Sequence, residues 1–173
     1  MITSIVFDVD DTIYDQQAPY RIAVEKCFPD FDMSKINQAY IRFRRYSDVG
    51  FPRVMAGEWT TEYFRFWRCK ETLLEFGYRE IDEATGVHFQ EIYEEELENI
   101  TMLDEMRMTL DFLKEKGVPM GIITNGPTEH QLKKLKNLVF TTTLTLNVSL
   151  SAKQLVFKNL KKKSSILLQS NLT

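Results

Sequence analysis

The sequence predicts an α/β fold, a parallel sheet interrupted once by an all-helical insertion. Three observations carry that prediction. Ile2 to Phe7 is a short, mostly apolar run that stops on acidic residues, as a buried parallel strand does. Val118 to Ile123 is a second such run, ended by Thr124-Asn125-Gly126. Between them no strand-like alternation occurs, and the spacing of apolar residues is helical.

The helices follow in order. Pro19 suits a first turn, and the pattern from there to Cys27 predicts one helix. A second is expected from Met33 to Tyr46, with Ser34 as its cap. A third starts at Thr60-Thr61 and reaches Phe76, where Gly77 stops it. A fourth covers Ile81 to Leu97. Met106, Leu110 and Leu113 give Leu103 to Lys116 a helical spacing closed by Gly117, and Pro127 opens a last helix that reaches at least Leu138. The expected division is 1–15 with 101–138 as the α/β core and 16–100 as a helical insert. Residues 139–173 form a tail.

A chain of 173 residues has room for one small core carrying such an insert. A net charge of −3 gives no reason to expect nucleic acid, and no apolar run approaches the roughly eighteen residues that span a bilayer. The start of the chain lacks a secretory order, since Asp8 and Asp10 interrupt it, so a cytoplasmic location is expected. Cys27 and Cys69 are too far apart in sequence for a metal-binding pair and read as free thiols.

The tail departs from everything before it. It holds no Asp, Glu, Gly or Pro, yet carries Lys153, Lys158 and Lys161-Lys162-Lys163. Seventeen basic and twenty-five acidic residues precede it, so the tail alone moves the charge from −8 to −3. A mobile basic extension is one reading. The sharper reading is a coding frame shifted by one lost base after Leu138. Re-reading the tail in that frame, with permitted third bases chosen for fit, gives a glycine-ended helix, an apolar strand, a Lys-Pro pair and a further helix start.

Chemistry concentrates at the two strand ends. A carboxylate at the end of a parallel strand lies at the sheet's carboxyl edge, where open α/β folds bind ligands. Asp8 there is a candidate nucleophile toward phosphorus, and Asp10 a candidate acid and base. Two carboxylates repel a phosphate unless a hard divalent cation intervenes, so Mg²⁺ is implied, held by the Asp8 carboxylate and the Asp10 main-chain carbonyl. The Thr124 hydroxyl and the N–H groups following it, with Asn125, can hold phosphate oxygens at a helix N-terminus.

Asp8-Val9-Asp10-Asp11-Thr12 resembles the first signature of the haloacid dehalogenase superfamily, and Ile122-Ile123-Thr124-Asn125-Gly126 resembles its second. The similarity covers about residues 1–138, and the helical segment resembles the family's cap. The resemblance implies a Rossmann-like core, Mg²⁺, and hydrolysis of a small phosphate ester such as a nucleotide or sugar phosphate. An aspartate at position 10 favours a phosphatase over a carbon–halogen hydrolase. The family also uses a lysine near the nucleophile and a later acidic pair. Neither is assigned in this chain, Lys153 included, so an impaired or inactive phosphatase that at most binds Mg²⁺ or a partner is the alternative expectation.

In the insert, Arg42, Arg44 and Arg45 are expected on solvated faces. Most of the aromatics Phe43, Tyr46, Trp59, Tyr63, Phe66 and Trp67 are expected in a bundle core. His88 and His130 are isolated and are given no role.

Overall fold

The computed structural model describes residues 4–124, 128–140, 147–151 and 154–158. Its order is β1 (Ile5–Phe7), α1 (Ala18–Cys27), a 3-10 turn at Met33–Lys35, α2 (Ile36–Met55), α3 (Thr61–Glu75), α4 (Glu83–Glu98), α5 (Asp104–Glu115), β2 (Met120–Thr124), α6 (Thr128–Phe140), β3 (Asn147–Ser151) and β4 (Gln154–Lys158). Two compact units result. One joins Met1–Gln16 to Glu98–Thr173, and the other is Gln17–Leu97.

The first unit is built on a parallel pair, with Ile5 opposite Met120 and Phe7 opposite Ile122. Because side chains alternate along a strand, Ile5, Phe7, Met120 and Ile122 share one face. Leu110 and Leu113 of α5 and Leu135 and Leu138 of α6 cover that face, together with Val9, Ile13 and Met102. Val6 and Ile123, on the opposite face, stay exposed. The sheet order is β1-β2-β4-β3.

The parallel pair is the sheet the sequence predicts, and the tail adds two further strands to it. β3 and β4 form an antiparallel hairpin, and β4 runs antiparallel to β2, with Thr124 opposite Leu155. The stretches Asn147–Ser151 and Gln154–Lys158 carry the β-branched and apolar residues that favour strands, and a short connection permits only an antiparallel return.

The second unit is all-helical. Its core gathers Tyr20, Phe28, Phe43, Phe89 and Tyr93, with ring centroids 4.8 Å apart for Tyr20 and Phe43 and 5.6 Å for Phe28 and Phe89. Such pairs add about 0.5–1.5 kcal/mol each beyond the area they bury. Gly77 ends α3 with φ +79°, and Tyr78 N–H donates to the Leu73 carbonyl at 2.9 Å, the closure a left-handed glycine allows.

Three expectations change here. Asp32, not Ser34, caps the second helical segment: its Oδ1 accepts from the Ser34 N–H at 3.1 Å and the Ser34 hydroxyl at 2.6 Å. α2 continues past Tyr46 to Met55, with Pro52 tolerated in its last turn, where only one helical carbonyl loses its donor. Of the six aromatics, most of which were expected in the bundle core, only Phe43 is buried, and Phe66 packs partly buried against that core. Tyr46, Trp67, Trp59 and Tyr63 instead meet edge-to-face in a partly exposed row, at centroid distances of 4.9–5.3 Å. They satisfy their apolar area against one another because Phe43 and Phe64 already fill the seam between α2 and α3.

That seam is close. A β-carbon at Gly50 would stand 2.6 Å from Cδ2 of the buried Phe64 ring and 3.1 Å from Trp67. Gly50→Ala is therefore expected to destabilise the helical unit by about 1–3 kcal/mol, read as a lower midpoint in urea unfolding. An unchanged midpoint would mean that α2 and α3 do not approach so tightly.

Candidate functional site

Asp8 follows the last residue of β1 and Thr124 closes β2. The parallel register carries both to the same edge of the sheet. Asp8 is exposed there. Thr124 is 2% exposed, and its hydroxyl has no hydrogen-bond partner among the described residues. A buried hydroxyl left unpaired costs about 1–3 kcal/mol. Asn125 lies outside the described residues.

The segment after β1 is a tight turn. Thr12 and Ile13 N–H groups both point at the Val9 carbonyl, at 3.4 and 3.0 Å. Asp11 adopts φ +55°, a left-handed conformation that aspartate tolerates better than most residues. Its Oδ1 accepts the Gln16 N–H at 3.0 Å, which fixes the exit of the turn. Leu103 N–H donates to the Ile13 carbonyl at 2.9 Å, tying the turn to the start of α5.

Asp10 is the best-anchored carboxylate in the turn. Its Oδ1 accepts the Tyr14 hydroxyl at 2.6 Å and the Lys134 ammonium at 2.7 Å, and its Oδ2 accepts the Gln131 side-chain amide at 3.3 Å. Burial pushes the Asp10 carboxyl up. The hydrogen bonds from Lys134 and Tyr14, the charge of Lys134 and the Gln131 contact outweigh that and hold it below the ordinary aspartate value. Lys134 and Gln131 were not singled out in the sequence. Their i,i+3 spacing places them on one face of α6, but does not mark them as partners of a distant carboxylate.

Other candidates separate from this cluster. Arg42 pairs with Glu75 at 2.7 Å, while Arg44 and Arg45 are exposed. Arg68, unremarked in the sequence, packs over Phe43 and donates to Ser47 and Gln90 inside the helical unit. Cys27 and Cys69 are free, and burial pushes both thiols up, which disfavours the thiolate a nucleophile needs. No helix among the described residues is long and apolar enough to cross a membrane.

Among the described residues no group of three or more His, Cys, Asp or Glu side chains converges as a metal cage. Mg²⁺ needs no such cage. It keeps several waters and takes one or two protein carboxylates beside substrate phosphates. The exposed Asp8 carboxylate and the Asp10 main-chain carbonyl fit that pattern, whereas the Asp10 carboxylate is already engaged.

A model of the haloacid dehalogenase-like hydrolases matches residues 2–163. YfnB of Bacillus subtilis (strain 168) is 27% identical over 134 residues, 78% of this chain and 55% of YfnB. A solved structure of YfnB bound to magnesium is 26% identical, with TM-score 0.45 over 79% of this chain and 59% of that one. The L-2-haloacid dehalogenase RSc1362 is 20% identical, with TM-score 0.52, covering 81% of this chain and 60% of that one. The chain thus spans little more than half the length of these relatives.

The lowered value of Asp10 has a definite sign in stability. An aspartate held below its unfolded value, near 3.8, stabilises the fold above that pH, and loses this contribution as pH falls through the folded value. In urea unfolding, the stability of the parent relative to Asp10→Asn is expected to be constant between about pH 5 and 7 and to shrink below about pH 4. A difference that does not change with pH would mean that the Lys134 and Tyr14 contacts do not favour the ionised form.

Proposed function

The chain belongs to the haloacid dehalogenase-like hydrolases, and on that premise we propose that it hydrolyses a small phosphate monoester through an aspartyl-phosphate on Asp8, with Mg²⁺. The observation that carries this reading is the division of labour between two aspartates two residues apart. Asp8 is exposed, as a nucleophile must be, and Asp10 is held by three side-chain donors. An Asp8 oxygen attacks phosphorus while the bond to the leaving oxygen breaks. Asp10 gives that oxygen its proton, then takes one from the water that cleaves the Asp8 acyl phosphate, releasing phosphate and restoring the Asp8 carboxylate and the protonated Asp10 carboxyl.

Asp10 is poised as a base in the absence of substrate. A phosphate dianion arriving beside it disfavours its ionised form, which is how the same carboxyl can carry the proton for the first step. Mg²⁺ bound by Asp8 and the Asp10 carbonyl supplies charge neutralisation for the approaching phosphate. Thr124 offers to a phosphate oxygen a hydroxyl that has no partner among the described residues, with Asn125 as the neighbouring donor. The dehalogenase neighbours support the fold, and Asp10 as a proton-transfer group favours phosphate esters over carbon–halogen bonds. The substrate is a small soluble phosphate ester rather than a nucleic acid or a membrane lipid, and the protein works in the cytoplasm.

A second reading is a slow or inactive member of the family. It is favoured by one observation: the lysine that reaches the site, Lys134, contacts Asp10 and not Asp8. The coding frame after Leu138 belongs to the same reading, since restoring one base would return a Lys-Pro pair.

With p-nitrophenyl phosphate and Mg²⁺, the chain is expected to release phosphate. EDTA should abolish turnover, and Asp8→Asn should lower kcat by about a thousandfold or more. Turnover that survives Asp8→Asn would remove Asp8 as nucleophile. Turnover seen only after frame restoration would establish the second reading, and release of halide from a 2-haloacid in place of phosphate would replace the phosphatase with a dehalogenase.

A further inference from the structure

We propose that Lys134, with Gln131 beside it, is a positioning residue for the acid/base step, fixing the plane of the Asp10 carboxylate; the inference rests on the phosphatase reading above. Asp10 has two oxygens to place, and its own turn holds one. Tyr14, four residues on and 1% exposed, donates to Oδ1. That single bond leaves the carboxylate free to rotate about its own axis. The second anchor comes from α6, more than a hundred residues away in sequence: Lys134 shares Oδ1 with Tyr14, and Gln131 reaches Oδ2. Contacts at both oxygens define the plane, and the plane decides where the proton is delivered.

The contact is more than a way to dock the helix. Leu135 and Leu138, 3% and 0% exposed, already bury the inner side of α6 against the sheet. Lys133 pairs with Glu98, and Asn137 donates to the Glu98 carbonyl at 2.7 Å. Docking is thus supplied four times over without Lys134. Its side chain is only 16% exposed, with the ammonium 5.6 Å from the centroid of the Tyr14 ring and 2.7 Å from an Asp10 oxygen. A lysine stripped of much of its water beside a single carboxylate is costly to place and has a defined geometry, unlike the solvated pairs elsewhere in the chain.

The test is steady-state kinetics of the full chain with p-nitrophenyl phosphate and Mg²⁺. Lys134→Met is expected to lower kcat about tenfold to a hundredfold while KM stays within about twofold. Lys134→Arg should recover most of that loss, because a second cation of similar reach can restore the contact. Lys136→Met, on the exposed side of the same helix, should match the parent. In an Asp10→Asn background, Lys134→Met should add no further loss, since the group it positions is gone. Should Lys134→Met fold poorly, Gln131→Leu, which removes the Oδ2 contact, should lower kcat in the same direction.

A parent chain that turns over while Lys134→Met matches it would overturn this role and leave the function standing. A rise in KM at constant kcat would reassign Lys134 to substrate binding. Equal losses with and without the Asp10 carboxylate would reduce it to a structural contact. Absence of Asp8-dependent turnover in the parent would overturn the phosphatase reading, and the role of Lys134 with it.

Discussion

The parallel pairing of β1 with β2 is the constraint on which the first unit depends. Parallel neighbours cannot be joined by a tight turn, so the chain must leave one end of the sheet and return to the other. Everything from Asp8 to Pro119 is that return. The crossover needs only one helix, and α5 supplies it. The 81-residue helical unit Gln17–Leu97 is therefore free of the sheet's geometry and carries its own aromatic core. The same pairing positions the candidate site, because two parallel strands end at one edge, bringing the exposed Asp8 and the buried Thr124 to that edge.

What keeps the pair folded is burial on one face. Six core positions on α5 and α6 and in the β1 turn are almost fully hidden, from Val9 and Leu138 at 0% to Leu110 at 4%. Each such side chain is worth about 1.5–3 kcal/mol relative to leaving it exposed. The turn after β1 is fixed between these groups, with Val9 and Ile13 buried and Tyr14 beneath Asp10. Local strain at Asp11 is sustained because both sides of the turn are anchored. The arrangement couples packing to chemistry. The helix that covers the sheet also delivers Gln131 and Lys134, so losing the apolar contacts of α6 would misplace the polar ones.

Much of this was legible in the sequence. Two apolar runs ending on Asp and Thr, separated by helical spacing, define the α/β core and its insertion. The glycine stops at Gly77 and Gly117 fall at positive φ, as a left-handed closure requires. The placement of Asp8 and Thr124 at strand ends, with Asp10 in the turn after β1, was legible because strand ends and acidic turns are local signals. Gln131 and Lys134 were not, because nothing local distinguishes a helix-surface lysine that meets a carboxylate 124 residues away from one that meets water. The partly exposed row of Trp59, Tyr63, Trp67 and Tyr46 was misjudged for a related reason: helical spacing says which residues share a face, not whether another helix covers it.

The sequence by itself determined the order of elements, the insertion, and the two aspartates from which the chemistry is read. Periodicity, turn residues and strand-end carboxylates are properties of short stretches of chain. Only the tertiary structure decided which cation meets Asp10, that the Thr124 hydroxyl has no partner among the described residues, and how β3 and β4 join the sheet. Those outcomes depend on packing between elements far apart in sequence. There, burial against a particular neighbour outweighs local preference, and β4 lies antiparallel beside β2 although the preceding pair is parallel.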